Sequence, residues 1–410
     1  MVLRHQKAKP LVQISDTTLR DGLQTPGTSL EPGQKVIIAE ALAAAGIHSI
    51  DCGFPAAGAL EIEGVRRIAE RVRGPILSVH ARTKAEDIDL AAEVMSGVSP
   101  FKRAITLFIG VSPIHRKYKH RMNKTEVIRT VVEAIERAQS AFEIVSFGPE
   151  DASRTEPDFL HEVYEEAIQA GAISIGYTDT VGILTPMMVH DALRRIQDSV
   201  PSLTDAMLAV HFHNDLGLAT ANALEAVRVG ANIIQGTING IGERAGNTAI
   251  EEIVTVLTLH KELYGRGVRV DPGRLCELSR LVADMTGIQP APNKAVVGRN
   301  IFRTETGVHQ DGLLKHRDTY MPFPPELIGA GDFELLLGPN SGKGAVRHRL
   351  EAEGLDSSDE HVQMVLAYLK NGKHAAGDQP EIDAFLERIG PFVTPDEARG
   401  TSAAAPERVS

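Results

Sequence analysis

The stretch Leu208-Ala-Val-His-Phe-His-Asn-Asp215 decides the fold, because it is an apolar run of strand length that ends abruptly in polar side chains. A helical pattern over Thr185–Val200 precedes it, and another apolar run, Ile233–Ile238, follows it. The same alternation of strand and helix recurs about eight times before about residue 260, which is typical of a closed parallel barrel.

The predicted strands are Leu11–Ser15, Ser49–Cys52, Ile76–Val79, Ala104–Phe108, Phe142–Phe147, Ile173–Tyr177, Leu208–His213 and Ile233–Ile238. The predicted helices between them include Gly33–Ala45, Lys124–Ala141, Pro157–Ala170 and Thr185–Val200. An open doubly wound sheet is the alternative, but it normally has a Gly-rich phosphate turn after its first strand, and Thr17–Gln24 is not one. We therefore predict the α/β class, with a (β/α)8 TIM barrel followed by a small, mostly helical C-terminal domain.

Changes in composition divide the 410 residues further. We predict a barrel domain over 1–270, a linker or lid subdomain over 271–325, a helical domain over 326–393 and a disordered tail over 394–410. The stretch from Gly298 to Gly344 is rich in Gly, Pro and polar residues. A helical pair is predicted near Gly342–Glu353 and Asp359–Asn371. The tail is polar and rich in Ala and Pro, which is typical of disorder.

The bulk composition excludes several classes of protein. The formal net charge is −11 and no concentrated basic block stands out, which argues against a nucleic-acid partner. No apolar run reaches the length of a membrane span, and residues 1–10 contain no apolar signal segment, so we expect no membrane partner and a cytoplasmic protein. The two cysteines, Cys52 and Cys276, fit neither a disulfide framework nor a CxxC metal site.

The pair His211 and His213 is the strongest local signal for chemistry. Residues two apart on a strand face the same side, about 7 Å apart at roughly 3.3 Å per residue, so both imidazoles can bind one divalent cation. With Asp21 and Asn247 from other strand ends they would form a mixed nitrogen and oxygen site, open to a bidentate substrate. Two buried, hydrogen-bonded histidines are the structural alternative.

Other polar residues follow the predicted strands where a barrel places its active site. Arg20 could neutralise an oxyanion or form a structural ion pair, and Glu150 could be a base, an orienting group or a solvated loop acid. Thr180 could bind a substrate carboxylate, cap the following helix, or do both.

Several motifs together resemble the 2-isopropylmalate synthase and homocitrate synthase family, in order from about residue 11 to 350. They are Asp16-Thr-Thr-Leu-Arg-Asp-Gly-Leu-Gln24, Ser112-Pro-Ile-His-Arg-Lys-Tyr-Lys119, Glu150-Asp-Ala-Ser-Arg154, Asp179-Thr-Val-Gly182, His211-Phe-His-Asn-Asp215, Asn239-Gly-Ile-Gly-Glu-Arg-Ala-Gly-Asn247 and Thr306-Gly-Val-His-Gln-Asp-Gly312.

The resemblance implies an acyltransferase that condenses acetyl-CoA with a 2-oxo acid and then hydrolyses the thioester. It implies a divalent cation (Mg, Mn or Zn) held by Asp21, His211, His213 and Asn247, with Arg20 polarising the keto group and Thr180 holding the carboxylate. Gln24 is taken as a further substrate-binding residue.

The resemblance also implies a homodimer with shared active sites. In such enzymes a histidine and a tyrosine from the partner's smaller domain complete the site, which here are His309 and Tyr320. The expected base is His309, assisted by Glu305 or Tyr320. Leucine-sensing members continue into a regulatory domain beyond the point where this sequence stops, so we expect no feedback inhibition through such a domain.

Departures from the family pattern leave the acceptor open. Leu23 and Asp51 stand where leucine-pathway members usually carry Glu, and His80 stands where they tend to be apolar. His80 and Arg82, two residues apart on one strand, could together meet an anionic acceptor, whereas a core histidine is the alternative for His80. The acceptor is therefore 2-oxoisovalerate, 2-oxoglutarate, or a pyruvate that bears a phosphonate or phosphinate.

Two rival functions follow from the same residues. A carbon–carbon lyase like 3-hydroxy-3-methylglutaryl-CoA lyase would share Arg20-Asp-Gly-Leu-Gln24, but it uses a Cys-bearing loop after strand eight, and Gly240-Ile-Gly-Glu-Arg-Ala-Gly246 has no Cys. A catalytically silent barrel is the second rival, and the intact set of candidate ligands argues against it.

Overall fold

The structure is a computed structural model that describes residues 11–371 and 379–389. The described residues divide into two compact units, one comprising 11–291 and 295–297, and the other comprising 292–294, 298–371 and 379–389. The tail predicted over 394–410 lies outside the described residues.

The first unit is a closed parallel barrel. Each strand pairs in parallel with its neighbours in chain order, and the last pairs with the first, as when Ser15 pairs with Ser49 on one side and Gln235 on the other. The barrel strands are β1 (Leu11–Asp16), β2 (Ser49–Asp51), β3 (Ile76–Arg82), β4 (Arg103–Phe108), β5 (Ile144–Phe147), β6 (Ser174–Asp179), β7 (Met207–Phe212) and β8 (Ile233–Gly236). The predicted TIM barrel is confirmed.

Helices follow the barrel strands and pack around them. They are α1 (Pro32–Ala44), α2 (Ala59–Arg71), α3 (Ala85–Val94), α4 (Lys124–Gln139), α5 (Pro157–Gln169), α6 (Pro186–Ser199), α7 (Ala219–Val229) and α8 (Ile250–Leu259). The short helix α9 (Lys261–Tyr264), a strand β9 (Gly267–Val268) beside β1, and α10 (Leu275–Thr286) complete this unit. Among the described residues, no helix has the length and apolar character that a bilayer span requires.

The apolar core lies between the strands and the helices, because alternate strand residues point outward. Leu77, Val79, Ile105, Leu107 and Val145 face this layer and are at most 2% exposed. The residues between them in sequence point to the barrel axis and line a cavity. The strand period of two therefore separates the side chains that hold the barrel together from those that surround the axis.

The second unit is small and mostly helical. It contains β10 (Arg303–Thr304), α11 (Gly307–Lys315), β11 (Glu334–Leu335), α12 (Lys343–Ala352), α13 (Asp359–Asn371) and α14 (Gln379–Ile389). Helices α12 to α14 supply an apolar cluster that includes Val346, Leu350, Val365 and Leu386. The helical pair predicted near the C-terminus corresponds to α12 and α13, whereas the functional division at 271–325 stays a prediction.

Candidate active site

Asp21, His211 and His213 bring their metal-ligand atoms together at the C-terminal mouth of the barrel. The Nε2 atoms of the two histidines lie 3.3 Å apart, and Asp21 Oδ2 lies 3.4 Å from His211 Nε2 and 4.0 Å from His213 Nε2. A divalent cation with ligands at about 2.1 Å places neighbouring ligand atoms about 3 Å apart. The three side chains therefore have the spacing that one such ion requires.

Asn247 adds an oxygen to this cluster. Its Nδ2 donates to Asp21 Oδ1 at 3.0 Å and to the carbonyl oxygen of Ile241 at 3.1 Å, which fixes the orientation of the amide. Its Oδ1 is consequently buried without a hydrogen-bond partner in the described part of the chain. An unpartnered buried oxygen is costly unless another group satisfies it, and a cation would do so. The residues present thus fit a divalent metal.

The charge states of these ligands suit a cation. Burial by itself raises the pKa of Asp21, but the charge of Arg20 and a hydrogen bond with His211 hold that pKa well below its usual range. Burial lowers the pKa of His213 to about 4, and the neighbouring His211 adds to this effect. At neutral pH the cluster therefore presents a carboxylate and a neutral imidazole, the forms that bind metals.

The turn after β1 places Arg20 and Asp21 over the barrel. The carboxylate of Asp16 accepts hydrogen bonds from Thr18 N at 2.9 Å and Thr18 Oγ1 at 2.8 Å. Thr17 Oγ1 donates to the carbonyl of Gly236 on β8 at 3.0 Å. The residues Asp16-Thr-Thr18 thus fix the conformation of the loop that carries Arg20 and Asp21.

Two aspartates hold the Arg20 guanidinium in place. Nη1 donates to Asp21 Oδ2 at 2.6 Å, and Nε donates to Asp51 Oδ2 at 2.9 Å. His80 approaches the same Asp51 oxygen with Nδ1 at 3.2 Å. Burial and the charge of Arg20 lower the pKa of His80, so the ring is neutral at neutral pH. Arg20 and His80 therefore share one carboxylate, and both line the cavity.

Thr180 lies at the end of β6 with a defined hydrogen-bond role. Its Oγ1 accepts from the backbone N–H of Asp151 at 2.8 Å, so the hydroxyl proton remains available to a substrate. Its carbonyl accepts from Arg244, which also pairs with Asp215 at 2.8 Å. The alternative that Thr180 caps the next helix is wrong, because Thr185 is the N-cap of α6.

Glu150 and Gln24 also line the cavity at the mouth. The carboxylate of Glu150 is partly buried and pairs with Lys119 Nζ at 2.5 Å, and His115 Nδ1 lies 3.9 Å away. Glu150 is thus an ion-paired acid rather than a fully solvated one. Its part in catalysis stays a prediction, as does that of Gln24.

Arg82 lies apart from His80, contrary to the predicted shared pocket. Its guanidinium donates to Asp87 at 2.6 and 2.8 Å, and its side chain is 45% exposed. Asp87 lies in the first turn of α3, directly after the strand, and its carboxylate binds the guanidinium there. Any anion at His80 would therefore have to be bound by other donors.

His309 and Tyr320 lie in the second unit and contact each other. Their ring centroids are 4.2 Å apart, and both residues are exposed. Gly312 makes this packing possible, because a Cβ there would lie 2.5 Å from Tyr320 Cε2. The predicted participation of the two rings in a partner's active site stays a prediction.

A buried ion pair behind the site ties two of its loops together. Lys35 of α1 is 2% exposed, and its Nζ pairs with Glu61 of α2 and lies 3.4 Å from the carbonyl of Leu19, just before Arg20. Glu61 in turn accepts from the N–H of Phe54 at 3.2 Å, in the loop after β2. This pair was not predicted, since neither residue belongs to one of the motifs.

We predict that Lys35→Met lowers the free energy of unfolding by about 3 kcal/mol, because it leaves Glu61 without its cation. Arg67→Met provides the control, since the Arg67–Glu63 pair on the surface of α2 is 2.6 Å long but 52% and 39% exposed. That change should cost less than about 1 kcal/mol. Urea unfolding monitored by circular dichroism measures both; equal losses would contradict a special role for Lys35.

Comparison with known proteins relates this geometry to a family. Residues 11–282 match the HMGL-like family, and residues 296–376 match the homocitrate synthase post-HMGL domain-like family. A 2-isopropylmalate synthase of Pyrococcus furiosus is 44% identical over 88% of this chain and 72% of its own length. Another, from Rhodopirellula baltica, is 44% identical over 94% of this chain and 73% of its own length.

Solved structures of hydroxymethylglutaryl-CoA lyases share the fold. The enzyme of Pseudomonas aeruginosa has a TM-score of 0.60 at 20% identity, covering 72% of this chain and 99% of that chain. The enzyme of Brucella melitensis has a TM-score of 0.57 at 19% identity, covering 68% and 100%. At this identity the lyases establish the barrel alone, whereas the synthases match most of the chain closely. The chain belongs to the 2-isopropylmalate synthase family of HMGL-like proteins.

Proposed function

We propose that this chain condenses acetyl-CoA with a 2-oxo acid and releases coenzyme A by thioester hydrolysis, as an acyltransferase of its family. One observation carries the proposal. Asp21, His211 and His213 converge at the mouth of a cavity of about 380 Å³, with the unpartnered Oδ1 of Asn247 beside them. The likeness to 2-isopropylmalate synthases supports this chemistry over that of a lyase or a silent barrel.

The side chains around this cluster have distinct roles in the proposal. A bound divalent cation would polarise the keto carbonyl and fix the 2-oxo acid at the mouth. Arg20 uses Nε and Nη1 for the two aspartates, which leaves Nη2 to stabilise the oxyanion formed when the enolate attacks. Thr180 donates its free hydroxyl proton to the substrate carboxylate, since its oxygen already accepts from Asp151.

Acetyl-CoA is the proposed donor, and a basic segment near the mouth supports this choice. A π-helix, His115–His120, carries Lys119, which pairs with the cavity-lining Glu150. Lys117 and Arg121 in and beside this helix are exposed, and neither forms an ion pair with another described residue. Exposed cations at the rim suit the phosphates of coenzyme A.

The second unit has a proposed part in the same reaction. We assign His309, assisted by Glu305 or Tyr320, as the base that takes a proton from the acetyl methyl group, acting in a partner's site within a homodimer. The contact between the two exposed rings supports a joint role. A cytoplasmic location belongs to the same proposal, because both Cys52 and Cys276 are free thiols.

The test of this function is release of free thiol from acetyl-CoA with a panel of 2-oxo acids. Metal-stripped protein should release no thiol, and adding back Mg²⁺, Mn²⁺ or Zn²⁺ separately should restore the reaction with at least one acceptor. A chelator should abolish it again. Thiol release at an unchanged rate in the stripped protein would contradict the metal, and no release with any acceptor and metal would favour the silent barrel.

A further inference from the structure

A cavity runs along the axis of this barrel, with apolar side chains such as Ile76, Ile144 and Ile233 at its deep end. Barrels of this class usually fill their axis with layers of branched apolar side chains. Here the middle of the axis is surrounded by small or polar side chains, and the cavity continues past them toward the opposite end of the strands. These residues are Ser15, Ser78, Thr106, Ser146, Gly176, Ala209 and Gln235.

Three hydroxyl groups form a row on adjacent strands, two of them level with His80 and one a strand step deeper. Thr106 pairs in register with His80 on β3 and with Ser146 on β5, so the three residues stand side by side around the barrel. Ser78 lies one strand step deeper than His80, and its Oγ is 3.3 Å from Thr106 Oγ1. The row of Ser78, Thr106 and Ser146 therefore lies on the barrel wall next to His80.

These hydroxyls have unused hydrogen-bonding capacity. Within the described part of the chain, Ser146 Oγ has no hydrogen-bond partner. The single hydrogen bond between Ser78 and Thr106 uses the proton of one hydroxyl and leaves the proton of the other available. Gly148 keeps the space beside Thr106 open. A Cβ on Gly148 would meet only Thr106 Cγ2, at 4.0 Å, so no neighbouring atom occupies the space beside this glycine.

We propose that this row selects the acceptor: a 2-oxo acid whose side chain ends in a hydrogen-bond-accepting oxygen group, such as a carboxylate, phosphonate or hydroxyl. The proposal rests on the proposed condensation and deepens it. With the keto acid at the metal ligands, its chain extends down the axis, and its terminal oxygens accept from Ser78, Thr106 and Ser146. Because Arg82 is engaged by Asp87, hydroxyls supply the donors.

A branched apolar chain would fit this row poorly. It would displace water from three hydroxyls without forming hydrogen bonds to them. Binding would be weakened, because leaving buried polar groups unpaired is unfavourable. A site built to hydrogen-bond a substrate group discriminates strongly against analogues that lack the group. The hydroxyl row therefore favours the polar acceptors over 2-oxoisovalerate.

The first experiment compares acceptors on the full-length, metal-loaded protein. Calorimetry measures binding and thiol release measures kcat/KM for 2-oxoglutarate, 3-phosphonopyruvate, 4-hydroxy-2-oxobutyrate and 2-oxoisovalerate. At least one oxygen-bearing acceptor should exceed 2-oxoisovalerate by about tenfold or more in both readouts. If 2-oxoisovalerate is bound and turned over best, the inference is overturned while the condensation stands; if no acceptor releases thiol, binding still decides the inference.

The second experiment removes single hydroxyls. Thr106→Val and Ser146→Ala should each lower kcat/KM for the preferred acceptor by about tenfold and leave 2-oxoisovalerate unchanged or improved. Thr130→Val on α4, whose hydroxyl donates to the carbonyl oxygen of Glu126 in the same helix, is the matched control and should change neither. An equal loss for all acceptors in Thr106→Val would mean that the residue has a structural role only, and would overturn the proposal.

Discussion

Replacing His211 by alanine is expected to abolish binding of the divalent metal and to lower the rate of thiol release by at least about 10³-fold. Loss of groups that merely support a ligand typically costs 10- to 100-fold, so loss of a ligand itself should cost more. His211 Nε2 also lies 3.3 Å from His213 Nε2 and 3.4 Å from Asp21 Oδ2. Calorimetric titration with Mn²⁺ and the thiol assay measure the two effects.

The control for this experiment is His190→Ala. His190 lies on α6, where its ring pairs with Glu225 at 2.8 Å, remote from the candidate ligands in sequence and on the helical layer. That variant should bind metal and release thiol normally. Full metal occupancy in the His211 variant would contradict the proposed ligand set, even if activity fell.

Replacing Gly242 by alanine is expected to cost about 10²-fold in activity and to weaken metal binding, although no ligand is removed. Gly242 has φ 151°, and a Cβ there would lie 2.0 Å from Asn247 Nδ2 and 3.0 Å from Asp21 Oδ1. The amide would have to move, and a displacement of about 1 Å in a positioned group can cost about that factor. Metal titration and thiol release again provide the readouts.

Gly58→Ala separates the steric effect from backbone strain. Gly58 has a similar φ of 141°, but a Cβ there meets nothing within 4 Å. Both variants should lose stability in thermal unfolding because of the unfavourable φ, and Gly242→Ala should lose more because of its added clash with Asn247. Only the Gly242 variant should lose metal affinity, and parallel losses in the two proteins would refute the crowding argument.

The fold could be predicted from the sequence because its signal is periodic and repeated. Apolar runs such as Ile233–Ile238 predict buried strands, and the observed strand, Ile233–Gly236, ends two residues before the predicted one. Helices α3 and α7 were not specified, because at 10 and 11 residues they carry a weaker periodic signal. Helix α2 was not specified either, although it is as long as α1. Some strand ends also differ, since β3 continues to Arg82 instead of ending at Val79.

The site was predictable where residues at strand ends must converge, and not where a neighbour redirects a side chain. Asp21, His211 and His213 meet because parallel strands deliver them to one mouth. Sequence spacing also placed Arg82 beside His80, but it could not reveal that Asp87 takes the guanidinium. The hydroxyl row was missed because isolated Ser and Thr residues on strands look like ordinary strand content.

The side chains that pack between the strands and the helices and those that surround the barrel axis are two different sets. The layer between strands and helices carries the tight packing, with residues such as Ile105 and Leu107 wholly enclosed. Residues around the axis contribute little to that packing. Substrate preference can therefore drift by exchanging a few axial side chains, while the scaffold and its reaction chemistry persist unchanged.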